Sequence, residues 1–293
     1  MSLQINTPYA PIEKINWVGL AEKEIELYIK REDLSHPFIS GNKWRKLKFH
    51  LLHAETQEKN LLVTFGGAYS NHLLATAAAG AKYGFQTFGF VRGEKVENLV
   101  LKMCAVFGMQ LAFVSRENYQ QKDALFTSNF GSNPHALFIP EGGAGDLGEL
   151  GVAELLAEKY FQENFTDIVC SVGTGSTLRG LLMGIQTQQL NCKAHGIVVL
   201  KGAEKMEELY QDYPANAYTL HHQFHGGGYA KANKDLIAFI HYFTSQTGIL
   251  LDQVYEGKMM LGILALIEQD YFKPKSKILA FHNGGIIGLT GIL

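Results

Sequence analysis

The sequence predicts an α/β protein built on two doubly wound parallel sheets. Short apolar runs alternate with longer segments of helical composition along most of the chain. Those runs are continuous rather than alternately apolar and polar, as expected of strands buried on both faces. They also form two groups, four between residues 61 and 139 and three after residue 166. No flexible linker, repeat or low-complexity segment separates the groups, so one unit is read as inserted within the other.

In chain order the predicted strands are 61–65, 86–91, 110–114, 136–139, 167–172, 195–200 and 277–281. "LLVTF", "DIVCSV" and "HGIVVL" are typical of them, short and rich in β-branched residues. The helical segments between them are "SNHLLATAAAGAKYG", "KVENLVLKMCAVFG", "LGELGVAELLAEKYF", "STLRGLLMGIQTQQ" and "GKMMLGILALIEQ". The expected partition is a larger domain of residues 1–45 and 157–293, and a smaller inserted domain of residues 46–156.

Composition narrows the function. With 26 basic and 28 acidic residues in 293, the net charge is −2, which gives no support for a nucleic-acid partner. Cys104, Cys170 and Cys192 are odd in number and far apart, matching neither a disulfide framework nor a zinc spacing, so a reducing cytoplasm is expected. Glu13 and Lys14 precede any long apolar run, and no run approaches the ~20 residues of a membrane span.

In open parallel sheets, ligands bind beyond the carboxyl ends of strands, so the following loops are the place to look for chemistry. One further stretch stands out. "SGNKWRKL" (40–47) puts Lys43 at the start of a helix whose apolar side includes Leu47 and Leu51. A helix start repels an ammonium. Either Lys43, Arg45, Lys46 and Lys48 form a solvated basic face, or positive potential and burial hold Lys43 neutral as a nucleophile for an aldehyde.

"VGTGSTLRG" (172–180) follows a strand and opens a helix, so Gly173, Thr174, Gly175, Ser176 and Thr177 can cradle a phosphate. A dinucleotide is disfavoured because Lys201, and not an acid, follows the next strand. "TFGGAYSNH" (64–72) offers Ser70 as a helix cap, with Asn71 and His72 beside it to meet a carboxylate. "LDQVYEGKMM" (251–260) places Tyr255 and Glu256 ahead of a helix; the alternative reading is a Glu256 cap beside a packed tyrosine. "HHQFHGGGYAK" (221–231) matches no zinc pattern and is read as a flexible loop that brings Tyr229 to a pocket. No metal is expected.

"SGNK", "GGAYSNH", "CSVGTGST" and "YEGK", in this order, resemble the pyridoxal-phosphate enzymes of the tryptophan-synthase-β type, in the branch of D-cysteine desulfhydrases and 1-aminocyclopropane-1-carboxylate deaminases. The likeness runs from "IKREDLSHPFISGNKWRKL" to "FHNGG", in a chain shorter than typical members. It implies pyridoxal 5'-phosphate held between the two domains, a small amino-acid substrate and a homodimer. Lys43 would bond the cofactor aldehyde, Asn71 the ring hydroxyl, and Gly173 to Thr177 the phosphate. Ser70 and His72 would flank the substrate carboxylate. Tyr229 and Tyr255 resemble a pair of catalytic tyrosines, and Glu256 the carboxylate on the pyridine nitrogen.

The two activities leave conflicting marks. His72 and "RGE" (92–94) resemble the desulfhydrases, whereas Glu256 resembles the deaminases, since desulfhydrases tend to carry threonine there. The reading adopted is a D-cysteine desulfhydrase-like lyase, with the cyclopropane deaminase as alternative. A catalytically silent metabolite binder on the same fold is a further one.

Overall fold

The computed structural model describes residues 3–6, 8–157, 164–285 and 289. Its strands are β1 (Ile12–Ile15), β2 (Glu26–Lys30), β3 (Leu61–Gly67), β4 (Gln86–Arg92), β5 (Gln110–Val114), β6 (Ala136–Phe138), β7 (Asp167–Val172), β8 (Lys193–Val198), β9 (Tyr218–His221) and β10 (Lys277–Phe281). Its α-helices are α1 (Asn42–Thr56), α2 (Asn71–Tyr83), α3 (Leu99–Val106), α4 (Lys122–Phe130), α5 (Asp146–Ala153), α6 (Ser176–Thr187), α7 (Lys234–Thr247) and α8 (Glu256–Glu268).

The two predicted sheets are present. One has the order β5-β4-β3-β6, all parallel. The other has the order β1-β2-β10-β7-β8-β9, parallel except for β1, which runs antiparallel along β2. Strands β5, β7 and β10 occupy the expected residues, whereas β8 lies two residues earlier than expected.

Both faces of the larger sheet are buried, as continuous apolar strands require. Val169, Ile197, Ile278 and Ala280 join Met259 and Ile263 of α8 on one face. Ile168, Cys170, Val198 and Leu279 join Leu178 and Leu181 of α6 on the other. Each fully buried aliphatic side chain contributes about 1.5–3 kcal/mol. No described helix is long and apolar enough to cross a membrane.

Helix α1 corrects the picture of a solvated basic face. Arg45 is fully buried and donates Nε and Nη2 to the two carboxylate oxygens of buried Glu32, each at 2.8 Å. Lys46 is also buried, and Lys48 reaches Glu154 at 2.6 Å. Removing one partner of a buried ion pair strands the other charge. Arg45→Ala should therefore lose about 3–5 kcal/mol of stability, seen as a lower urea midpoint. A loss under about 1 kcal/mol would place this pair in the class of surface ion pairs.

The expected boundary at residues 45/46 falls inside α1, whose Trp44, Leu47, Leu51 and Ala54 share a core with Leu62, Ala75 and Ala79. We propose the same partition with its first boundary moved to residue 41.

Candidate active site

Loops beyond the carboxyl ends of β3, β7 and β10, together with the starts of α1, α2, α6 and α8, enclose one cavity of about 770 Å³. Lys43, Ser70, Asn71, His72, Gly173, Thr174, Gly175, Thr177, Tyr229, Tyr255 and Glu256 all line it. Residues up to 213 positions apart in sequence (256 − 43) thus face one space.

Lys43 is the second residue of α1, behind Gly41. That glycine has φ 65°, and a Cβ there would lie 1.7 Å from the Asn283 carbonyl oxygen. The "SGNK" and "FHNGG" loops therefore close on each other only because residue 41 is glycine. Lys43 Nζ donates to Asn42 Oδ1 at 2.7 Å. Burial lowers its pKa to about 8, against the opposing pull of the acidic pair Glu256 and Asp252. At pH 7 roughly a tenth of such amines are neutral, against less than about a thousandth of ordinary lysines.

An amine adds to an aldehyde only when neutral, so cofactor uptake by cofactor-free protein should accelerate as pH rises and level off above about 8. Growth of the visible band of bound cofactor reads this directly. A midpoint in the ordinary lysine range would show that the amine is not perturbed.

The phosphate-loop candidate is the start of α6. Gly175 caps the helix at φ 88°, where a side chain would be strained and would meet Leu209 at 2.7 Å. Ser176 does not line the cavity; its hydroxyl accepts from Lys46 Nζ at 2.6 Å and lies 3.3 Å from Thr174 Oγ1. Thr177 Oγ1 accepts from Asn42 Nδ2 at 2.9 Å. Burial, then Lys43, pushes the Lys46 pKa far down. An anion in the loop would restore its charge. Sequence reasoning left Lys46 on the solvated face, although its place one turn beyond Lys43 was the available signal.

Ser70 caps α2 and accepts from the Leu73 N–H at 3.2 Å, which leaves its hydroxyl proton free to donate. His72 is different. Its Nε2 lies 2.8 Å from Thr64 Oγ1, and Thr64 donates its only proton to the Ile139 carbonyl. Nε2 must then carry the imidazole proton. Burial holds the ring neutral, and Nδ1 is a buried acceptor without a partner among the described residues. A lone pair there suits a donor better than a carboxylate. Ser70 and Asn71, which also line the cavity, carry side-chain donors.

At α8, the alternative of a Glu256 cap is corrected. Asp252 caps the helix, accepting from the N–H groups of Val254 (2.7 Å), Tyr255 (2.8 Å) and Glu256 (3.1 Å). Glu256 is fully buried. Its Oε1 accepts from Ser171 Oγ at 3.0 Å, and its Oε2 has no partner among the described residues. Burial, then the Asp252 charge, raises the Glu256 pKa well above the carboxylate range. Three backbone donors make Asp252 the ionised member of this pair, so Glu256 holds the proton. Tyr229 and Tyr255 meet edge to face at 6.1 Å. Burial and Tyr229 raise the Tyr255 pKa well above that of a free phenol.

These residues fit pyridoxal phosphate. Lys43 offers an amine to an aldehyde, the 173–177 loop and Lys46 suit a phosphate, and the unpartnered Glu256 oxygen suits a ring nitrogen. The reading from sequence missed Asp252, Ser171, Lys46 and Asn283. Asp252 and Ser171 were disguised as an ordinary loop and a strand residue. Asn283 lies in the "FHNGG" stretch that ends the resemblance, and its buried Oδ1 also has no partner among the described residues.

The comparisons agree with the fit. The model of the family described as pyridoxal-phosphate dependent enzyme matches residues 2–284. The chain is 30% identical over 315 residues to the bifunctional D-cysteine desulfhydrase/1-aminocyclopropane-1-carboxylate deaminase, mitochondrial, of Arabidopsis thaliana, covering 95% of this chain and 77% of that one. It is 31% identical over 285 residues to a D-cysteine desulfhydrase of Yersinia pestis, covering 89% and 86%. Among solved structures, an ACC deaminase homologue superposes with a TM-score of 0.85 at 25% identity, covering 99% of this chain and 92% of that one. With a family match spanning nearly all of its length and a cavity that fits the cofactor, the chain belongs to the pyridoxal-phosphate dependent enzymes.

Proposed function

We propose that the protein is a deaminating lyase on a small amino acid, with D-cysteine as its substrate. The observation that carries the reading is the Lys43 amine, lowered to about 8 and lining the same cavity as Ser70, Asn71, Tyr229 and Tyr255. When bound, the cofactor ring is an electron sink for charge developing at the substrate Cα. The protein's groups do the rest. Ser70 and Asn71, at the start of α2, bind the substrate carboxylate with donors and helix dipole. Lys43 removes the α-proton as a neutral base. The Tyr229–Tyr255 pair delivers a proton to the departing sulfur. Water completes the balance, so that D-cysteine and water become pyruvate, hydrogen sulfide and ammonia.

A second reading is 1-aminocyclopropane-1-carboxylate deaminase, giving 2-oxobutyrate and ammonia. One observation favours it: Glu256 is a buried, protonated carboxyl with an oxygen unpartnered among the described residues, which suits a site that must hold carbanion charge strongly. Purified protein offered D-cysteine, L-cysteine, D-serine and 1-aminocyclopropane-1-carboxylate decides, with sulfide and 2-oxo acid as readouts. Sulfide from D-cysteine with little 2-oxobutyrate supports the first reading, and the reverse supports the second. Turnover of none, with cofactor bound, would make the protein a silent binder. A homodimer in the cytoplasm belongs to the same proposal, and light scattering checks the dimer.

A further inference from the structure

The "YEGK" motif contains a residue to which the chemistry above gives no role. Lys258 is 1% exposed, one turn beyond Tyr255 on α8 and beside fully buried Met259 and Met260. An ammonium is expensive at such a place, where methionine or leucine would pack without penalty. Burial lowers its pKa, against the pull of Asp252. Its Nζ donates to the Gly228 carbonyl at 2.7 Å.

Gly228 immediately precedes Tyr229 in a loop with little rigidity of its own. Gly226, Gly227 and Gly228 have φ of 59°, 94° and 119°, and Ala230, which lines the cavity, has φ 55°. Three consecutive glycines leave the backbone free, and a left-handed alanine is strained unless its surroundings hold it. Local bonds tie the loop to itself, from the Gly227 N–H to His225 Nδ1, from the Gly228 N–H to the His225 carbonyl and, at 3.2 Å, from the Lys231 N–H to the Gly228 carbonyl, which the Lys258 ammonium meets more closely. The Lys258 bond ties it to α8, the helix that begins with Glu256 directly after Tyr255. Gly226 also leaves room for the lysine stem, since a Cβ there would lie 3.3 Å from Lys258 Cε.

We infer that Lys258 is a positioning residue: its ammonium pins the Gly228 carbonyl and so holds Tyr229 against Tyr255 over the substrate cavity. The two phenols then owe their mutual placement to one helix. Tyr255 stands at its start, and Lys258 reaches from its first turn to fix the loop carrying Tyr229. The inference rests on the proposed function for the role of the phenols, and on geometry alone for the anchor.

The test uses the cofactor-loaded protein. Lys258→Met keeps the side-chain volume and removes the donor. It should lower kcat/KM for D-cysteine by about 10- to 100-fold while leaving cofactor content and melting temperature near those of the unsubstituted protein. Lys258→Arg retains a donor and should recover part of the loss. In a Tyr229→Phe background, Lys258→Met should cost little more, because both changes act on the same phenol. Hydrogen exchange of residues 225–231 and tryptic cleavage after Lys231 should both speed up in Lys258→Met.

Unchanged loop protection in Lys258→Met would overturn the inference. So would losses that multiply in the double variant, which would mean that Lys258 acts apart from Tyr229. If no amino acid is turned over, the functional reading fails. The exchange and cleavage measurements still decide the anchor, and retained protection sinks it.

Discussion

The Lys43→Ala protein is expected to fold, to lose its covalent hold on the cofactor and to lose turnover by at least about 10²- to 10⁴-fold, the range for removing one acid–base group. Dialysis should then strip cofactor from the variant and not from the unsubstituted protein. The sharper measurement is borohydride reduction followed by peptide mapping. Two lysines compete for the tag, since Lys43 and Lys46 lie one turn apart on α1 and burial depresses both. Their partners separate them. Both line the cavity, but Lys46 is bonded to Ser176 at the phosphate-loop candidate, whereas Lys43 is bonded to its neighbour Asn42. A tag on Lys46 would falsify the assignment. Activity retained in Lys43→Ala would remove the lysine from the reaction altogether.

Glu256→Thr should separate the two candidate reactions. If Glu256 passed its proton to a ring nitrogen, the resulting carboxylate and pyridinium would share a charge-assisted hydrogen bond worth about 1.5–3 kcal/mol, which threonine cannot replace. Fully expressed in the transition state, that is about 10- to 100-fold in rate. Thiol elimination needs less of this help, because sulfide leaves readily. Opening a cyclopropane has no α-proton to remove and must hold charge during carbon–carbon cleavage. The variant should therefore lose cyclopropane opening more than sulfide release. The measurement is kcat/KM for both substrates in both proteins. Equal losses would show that Glu256 only anchors the ring. Absence of cyclopropane opening in the unsubstituted protein would leave Glu256 a poor guide to the chemistry.

Much of the fold is readable in the chain, because strands buried on both faces leave a local signature. "DIVCSV" and "KILAF" are unbroken apolar runs, and they form β7 and β10 at the residues expected. Strands with a weaker signature were missed. β1 ("IEKI") and β2 ("ELYIK") mix charge with apolar residues, since β1 is an edge and β2 ends near the buried ion pairs. α4 has no fully buried residue, and its stripe is short, with Leu125, Phe126 and Phe130 packing half-buried against the smaller sheet. α7 carried a usable pattern in Leu236, Ile240 and Phe243 that the strand–helix count passed over.

The sequence by itself determined the α/β class, the two parallel sheets and the short stretches from which a cofactor site could be built. Hydrophobic continuity, helix starts and small-residue turns are local properties, and local order carries them. Only the tertiary structure decided what those stretches do to one another. It brought Lys43 beside Asp252 and Glu256, turned Lys46 from a surface charge into the partner of Ser176, and made Asp252 the helix cap that leaves Glu256 protonated. It also set the His72 tautomer through Thr64 and Ile139. Protonation depends on burial and on charges a few ångströms away. Those neighbours are supplied by loops distant in sequence, so no reading of one stretch at a time could place the protons.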